Sequence, residues 1–253
     1  MATSGTVRAE ERRAAILATL ARDAALQLDA IAAELGVSAM TVRRDLDELE
    51  GEGLLRRVRG GAVSTTGPQP FGERRAVRAR AKSIIADKAA ALVPASGSIA
   101  LDASSTTGTL ASALGARSGL TVATNSYDNF CALRGSPGTT PVLVGGEAEA
   151  TTGSFVGLIA CQGAASMLYQ RLFVSATAVD PEHGSSEVSL AESQVKRAFA
   201  DRARELVLCV DSSKLGHQAV ALGFGFDEIA IMITELAPDD PRLEPYRALT
   251  EVR

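Results

Sequence analysis

LGVSAMTVRRDLDELEGEGLLRRVRGGA, Leu35 to Ala62, decides how this chain is read. Gly36 and Val37 make a turn, and Ser38 is placed to cap the helix that follows. Val42, Leu46 and Leu49 recur at i, i+4 and i+7, the spacing of one buried helical face. Gly51 and Gly53 are expected to stop that helix, Leu54 to Val58 reads as a strand, and Gly60-Gly61 as a tight turn before Ala62 and Val63. Toward the N-terminus, Asp29 is placed to cap a short helix burying Ile31 and Leu35. Ile16, Leu17 and Leu20 mark one face of a helix from about Ala9 to Ala21.

A helix, a short turn bent at a glycine, and a second helix together describe a helix-turn-helix. In that geometry the first turns of the second helix meet the base edges of the major groove. Here those turns carry Ser38, Met40, Thr41, Arg43 and Arg44, while Val42 and Leu46 point inward. The far end is acidic, with Asp47, Glu48, Glu50 and Glu52, so only the first two turns suit a polyanion. Arg56, Arg57 and Arg59 on the following strand form a basic wing for backbone or minor-groove contact. A blander reading pairs Arg43 with Asp47 and Arg44 with Glu48 as i, i+4 surface ion pairs of a structural helical domain. Arg8, Arg12 and Arg13 either touch phosphate or only solvate the first helix, and the second is expected.

TTGPQPF, residues 65–71, reads as a linker, since Pro68 and Pro70 disfavour helix. The expected division is a DNA-binding domain at 1–64, a linker at 65–80 and an α/β domain at 81–253. In the last, a helix over Ile84 to Val93 precedes SIALDA (Ser98 to Ala103), LTVATNS, PVLVGG, RLFVSATAV, ELVLCVDSS and EIAIMITE. Helical stretches separate most of these β-rich runs, the pattern of a largely parallel sheet covered on both faces.

In such sheets ligands sit at the carboxyl ends of the strands. Asp102 ends one strand and can accept from a hydroxyl. Ser104, Ser105, Thr106, Thr107 and Gly108 form a loop before a helix from about Thr109, an anion cradle of hydroxyls and N–H groups. The same loop read blandly is only a helix cap. Asn125 and Ser126, Gly145 and Gly146, and Asp211 to Lys214 close other strands on the same rim. Lys214 can reach an anion as a point charge, whereas Lys196, on a helix, reads by default as solvated.

Apolar residues make up 46% of the 253, enough for a core, and no run of about 18 apolar residues offers a membrane span. Without the apolar core of a signal peptide near Met1, a cytoplasmic location is expected. Cys131, Cys161 and Cys209 are odd in number and far apart, so neither a disulfide framework nor a zinc site is expected. Two histidines leave few parts for metal or triad chemistry. The net charge of −4 does not point to wholesale nucleic-acid binding, so the local arginine clusters matter more than the sum. Arginine greatly outnumbers lysine, which draws attention to the four lysines, Lys82, Lys88, Lys196 and Lys214.

The quoted stretch closely resembles the winged helix-turn-helix of the DeoR-type bacterial repressors, whose pattern is VS-x-x-T-[IV]-RRDL-x-x-LE-x-x-G-x-L-x-R-x-x-GGA. The resemblance implies DNA-facing Ser38, Thr41, Arg43 and Arg44, with Arg57, Gly60 and Gly61 in the wing; Arg59 stands where the family often has histidine. LDASSTT, TNS, VGG, ESQVKRAF and DSSKLG resemble the family's sensor domain, itself similar to ribose-5-phosphate isomerase and glucosamine-6-phosphate deaminase. It implies an effector pocket for a phosphorylated sugar or polyol, lined by Asp102, Ser104 to Thr107, Asn125, Gly146, Lys196 and Lys214. Ser104 replaces a common glycine, Phe199 a usual methionine, and DPEHGSSE (Asp180 to Glu187) matches only loosely. The implied partners are a double-stranded operator and a second or fourth copy of the chain, with no cofactor. A sugar-phosphate isomerase or deaminase using Asp102, Glu192, Lys196 or Lys214 is the competing reading.

Overall fold

The computed structural model describes residues 4–23, 25–51, 54–64, 70–115 and 117–253. They pack as two units, Met1–Gly67 and Pro68–Arg253.

The first unit runs α1 (Ser4–Asp23), β1 (Ala25–Gln27), α2 (Leu28–Glu34), α3 (Ala39–Gly51), β2 (Leu55–Val58) and β3 (Gly61–Ser64). Its core is the set of periodic positions: Ile16, Leu20, Ile31, Val42, Leu46, Leu49 and Leu55 are all buried. Gly36, at φ +63°, makes the bend between α2 and α3. Ser38 caps α3, its Oγ accepting from the Thr41 N–H at 3.1 Å. The three strands form an antiparallel sheet ordered β1-β3-β2. Gly61 is required there, because a Cβ would lie 1.9 Å from the Leu26 carbonyl oxygen. Three details differ from expectation. Gln27, not Asp29, occupies the cap position of α2, since β1 pairs with β3 and delivers the chain one residue earlier. Leu35 lies beyond α2 and is only partly buried. Gly51 closes α3, while Gly53 lies outside the described residues.

The second unit opens with α4 (Phe71–Ala76) and α5 (Ala79–Ala90), so the expected linker over 65–80 is corrected. Pro70 sits at the cap position of α4, where its fixed φ suits a helix start, and Phe71 is buried against Gly108. Residues 65–69 lie outside the described set. There follow β4 (Gly97–Leu101), α6 (Ser105–Ala113), β5 (Leu120–Thr124), α7 (Tyr127–Leu133), β6 (Thr139–Leu143), β7 (Glu147–Ala148), β8 (Phe155–Val156) and α8 (Gly157–Ala165). The chain continues as β9 (Tyr169–Val174), β10 (Ala178–Asp180), β11 (Gly184–Glu187), α9 (Leu190–Ala200), β12 (Ala203–Cys209), β13 (Ala221–Leu222), β14 (Ile229–Ile233), α10 (Glu244–Arg247) and β15 (Glu251–Val252).

Seven strands form one parallel sheet, ordered β15-β14-β12-β9-β4-β5-β6. Side chains alternate between its two faces: Leu172, Val174, Leu206 and Leu208 enter one core, and Phe173, Val207 and Cys209 the other. Helices α8 and α9 cover the first face; α5 and α6 cover the second. After β4 the chain steps to β5 and β6 on one side, then returns to β9 on the other. The strand order therefore reverses between β4 and β9, where a crevice opens at the carboxyl ends. A smaller antiparallel sheet, β10-β11-β13, stands beside it.

Candidate functional sites: a basic helix face and a charged strand-end crevice

In the first unit, Ser38, Met40, Arg43 and Arg44 are exposed and Thr41 is half-buried. The pairs Arg43–Asp47 and Arg44–Glu48 do not form. Asp47 is taken by Arg57 and Glu48 by Arg13, and among the described residues neither Arg43 nor Arg44 makes an ion pair. Two guanidinium groups thus project from the first two turns of α3 with their charge available to a polyanion. Asp45, buried on the other side of α3, is gripped by Arg12 through Nε and through Nη2, the latter at 2.8 Å. Arg12 and Arg13 therefore brace α1 against α3, a correction to their reading as solvating residues. Arg57 is part brace and part wing: its side chain holds Asp47 and its N–H donates to Glu50 Oε1 at 2.7 Å. Arg59 is exposed at the β2–β3 turn.

In the second unit, Asp102 sits at the end of β4, fully buried. Its Oδ1 accepts from the Ser104 N–H at 3.1 Å and the Thr107 hydroxyl at 2.8 Å. Oδ2 accepts from the Ser175 N–H at 2.9 Å and pairs with Lys196 Nζ at 2.9 Å. Lys196 is not solvated, as its helical position had suggested. It is buried, donating also to Ser175 O at 2.7 Å and to Glu187. Burial opposes charge on all three groups. Asp102 and Glu187 outweigh that for Lys196 and hold its ammonium above the ordinary range. Lys196, with bonds from Ser104 and Ser175, likewise holds the Asp102 carboxyl below it. For Glu187 burial wins, and its carboxyl is pushed up.

The Ser/Thr run is not a loop. Ser104 caps α6, and Ser105, Thr106, Thr107 and Gly108 form its first turn. The Thr107 hydroxyl is committed to Asp102, so hydroxyls are a smaller part of any anion cradle here. The Ser105 and Thr106 N–H groups have no intrahelical acceptor and remain its donors. Ser126 is buried as the cap of α7. Asn125 Nδ2 donates to Phe155 O at 3.0 Å, and its buried Oδ1 lacks a partner among the described residues. Gly146, at φ +120°, lets Val156 and Ala160 approach, and a Cβ there would meet Val156 O at 2.6 Å. Gly145 borders open space.

Residues outside the sequence reading complete the rim. Arg74 donates to Ala103 O at 3.3 Å and Thr152 O at 3.2 Å, tying α4 to the end of β4. Arg78, the one non-glycine residue with positive φ among those described, pairs with Asp211 at 2.8 Å and Glu235 at 2.7 Å. Lys82 is buried, with Nζ donating to Val77 O at 2.8 Å and to Arg74 O. Burial lowers its pKa to about 8; Asp211 opposes that shift, and Lys214, Arg74 and Arg78 add to it. Lys214 therefore belongs with Lys82 in one cationic cluster beside Asp211. The usable signal was the scarcity of lysine: Lys214 follows β12, Lys88 and Lys196 bond carbonyls just beyond strands, Thr234 O and Leu236 O at 2.8 Å and Ser175 O at 2.7 Å, and Lys82 bonds carbonyls at the end of α4.

Asp180, Glu182 and His183 are close enough to share a cation. Asp180 Oδ1 instead accepts from the N–H groups of Glu182 and His183 and from His183 Nδ1, at 2.9, 3.1 and 3.0 Å, which describes a capped turn between β10 and β11.

A basic recognition helix with a wing in one unit, and a charged crevice at a strand-order switch in the other, define a transcription regulator with a separate sensor. Residues 12–67 match the DeoR-like helix-turn-helix domain, and residues 77–236 the DeoR C terminal sensor domain. The Lactose phosphotransferase system repressor of Lactococcus lactis subsp. lactis is 32% identical over 244 residues, covering 94% of this chain and 95% of that protein. The HTH-type transcriptional regulator GolR of Listeria innocua is 30% identical, over 89% and 90%. Ribose 5 phosphate isomerase A from Neisseria gonorrhoeae aligns over 57% of this chain and 55% of its own, at 19% identity and a TM-score of 0.37, too distant to carry an argument. The chain belongs to the DeoR family: it is a DNA-binding transcriptional regulator and not an enzyme. No helix among the described residues is long and apolar enough to cross a membrane.

Proposed function

We propose that the chain is a cytoplasmic repressor of carbohydrate-metabolism genes, released from a double-stranded operator when a phosphorylated sugar or polyol binds the second unit. The observation that carries this reading is the crevice chemistry. Arg78 pairs with Asp211, Lys214 follows that carboxylate by three residues, Lys82 Nζ donates to the carbonyls of Arg74 and Val77, and Arg74 reaches Ala103 O just before α6. Excess positive charge and unsatisfied N–H groups suit a phosphate. The buried Asp102–Lys196–Glu187 group is spent on itself and acts as the rigid floor.

Arg43 and Arg44 read base edges, Ser38, Met40 and Thr41 fill the groove around them, and Arg57 and Arg59 position the duplex through its backbone. In the crevice, Lys82 and Lys214 take the phosphate with the α6 N–H groups of Ser105 and Thr106, and Asn125 and the Gly145–Gly146 turn border the sugar. Names of relatives such as the lactose phosphotransferase repressor support a sugar-derived effector. An effector releases DNA only through its different affinity for the bound and free states.

A thermal-shift screen of phosphorylated sugars tests the effector reading. A ligand at 100 times its dissociation constant adds about 2.7 kcal/mol, a shift of several degrees. The reading requires that the active compound lose its effect without its phosphate and in Lys82→Met. Stabilisation that survives both changes would place the ligand elsewhere.

A further inference from the structure

Helix α3 carries one side chain that fits neither its core nor its charge pattern. Val42, Leu46 and Leu49 are buried, and the solvent side of the helix and its cap is otherwise polar or charged: Ser38, Thr41, Arg43, Arg44, Asp47 and Glu48. Met40 lies among these and is 59% exposed. Among the described residues of the first unit, only Val58, at the end of β2, also leaves a large apolar side chain exposed. Met40 stands where the family pattern is open, so its role is this chain's own.

Its neighbours narrow what it can do. Arg43 and Arg44 follow it by three and four residues, which places all three on one surface of the helix. The Ser38 and Thr41 hydroxyls lie 2.9 Å apart, and Ser38 Oγ accepts from the Thr41 N–H, so both are partly spent on the cap. A thioether has no hydrogen to donate and accepts only weakly. The O6, N7 and O4 acceptors of the bases are closed to it, as are phosphate oxygens, and it holds the adenine and cytosine amino groups poorly. What the major groove offers an apolar side chain is the thymine 5-methyl group. A flexible, polarisable methionine end packs well on such a group.

We propose that Met40 reads a thymine of the operator through its 5-methyl group. This rests on the reading of α3 as the recognition helix and adds to it a base and a place. Arginine's commonest specific contact is bidentate, to O6 and N7 of guanine. Helical neighbours three and four residues apart are separated by about 5–6 Å between Cβ atoms, and bases stack about 3.4 Å apart. The thymine therefore lies roughly one or two base steps from a guanine held by Arg43 or Arg44. Covering one methyl group is worth about fourfold in affinity.

Uracil interference with the full chain tests this. A labelled duplex from the chain's own upstream region carries deoxyuridine at random in place of thymine, which removes the methyl and leaves every hydrogen-bonding group. Bound and free duplexes are separated and their uracils mapped, while dimethyl sulfate interference on the same duplex marks the contacted guanine N7 atoms. The wild type is expected to disfavour uracil about fourfold at a thymine roughly one or two steps from such a guanine. Met40→Ala should lose that discrimination at that thymine alone, and Met40→Leu, which keeps an apolar end, should retain it. Both replacements favour helix at an exposed site, so the fold is kept, and an unchanged Tm checks it. A merely structural role would lower binding without changing which thymine matters. A wild type indifferent to uracil beside its guanine contacts, or an unchanged uracil pattern in Met40→Ala, overturns the proposal and leaves the regulator reading standing. A duplex that the wild type does not bind at all fails the regulator reading, and the proposal with it.

Discussion

Lys196→Met is the sharpest probe of the crevice floor. The side chain keeps its approximate length and packing but loses the charge lying between Asp102 and Glu187. Both carboxylates are fully buried, and Lys196 is the cation paired with each. Removing one member of a buried ionic group costs about 3–5 kcal/mol, because the remaining charge is left uncompensated. For a unit of this size each kcal/mol lowers Tm by about 2–4 °C, so a fall of roughly 10 °C is expected by calorimetry. Glu187→Gln on top of Lys196→Met should recover part of the loss, since one buried charge is then gone. The variant also has a pH signature. In the wild type, Lys196 holds Asp102 down, a stabilisation present above the carboxyl's unfolded pKa and lost as pH falls through its folded value. Without Lys196, burial raises both carboxyls, and the variant's deficit should shrink as pH falls from 7 toward 5. A Tm change under about 2 °C with no pH dependence would refute the reasoning, since a solvated lysine behaves that way.

Other parts of the structure predict as directly. Arg43→Ala should weaken operator binding by about 1–3 kcal/mol and relax sequence preference, measured by fluorescence anisotropy, whereas Arg59→Ala should weaken all sequences alike and reduce the salt slope. The depressed pKa of Lys82, about 8, means that its unfolded form binds more protons between about pH 8 and its ordinary value of 10.5. Stability should therefore rise across that window by about 3 kcal/mol more in the wild type than in Lys82→Met. Phosphate-ester affinity should fall as pH passes 8, because the neutral amine no longer attracts the anion; isothermal titration at pH 7 and 9 checks this. Gly61→Ala should destabilise the first unit by about 2 kcal/mol or more, read by denaturant melting, because its Cβ overlaps the Leu26 carbonyl.

The first unit was legible because its information is local. Val42, Leu46 and Leu49 mark a helical face, Ser38 and Gly36 punctuate it, and the arginines follow from the helical period. What escaped there was non-local: β1 pairing with β3 moved the start of α2, and Arg12 reached across 33 residues to Asp45. In the second unit the apolar strands were plain, since runs buried on both faces need no alternation. The antiparallel β10-β11-β13 sheet was not, because GSSE (Gly184–Glu187) is polar and buries all four residues through pairing with distant strands. The prolines hid α4, whose start depends on Phe71 packing against Gly108. Asp102 was visible as a strand end, but not its partners. Lys196 looked solvated because periodicity cannot show that Glu187, nine residues earlier, turns back to meet it.

The central claim is that one chain couples phosphate binding in the crevice to the hold of Arg43 and Arg44 on DNA. Fluorescence anisotropy on a labelled duplex from the chain's own upstream region, titrated with and without the phosphorylated sugar that stabilises the protein, tests it in one measurement. The expected result is tight binding at low salt, weakened at least roughly tenfold by the sugar phosphate, a coupling of about 1.4 kcal/mol. A duplex left unbound at low salt, or bound equally well at saturating sugar phosphate, would contradict the account.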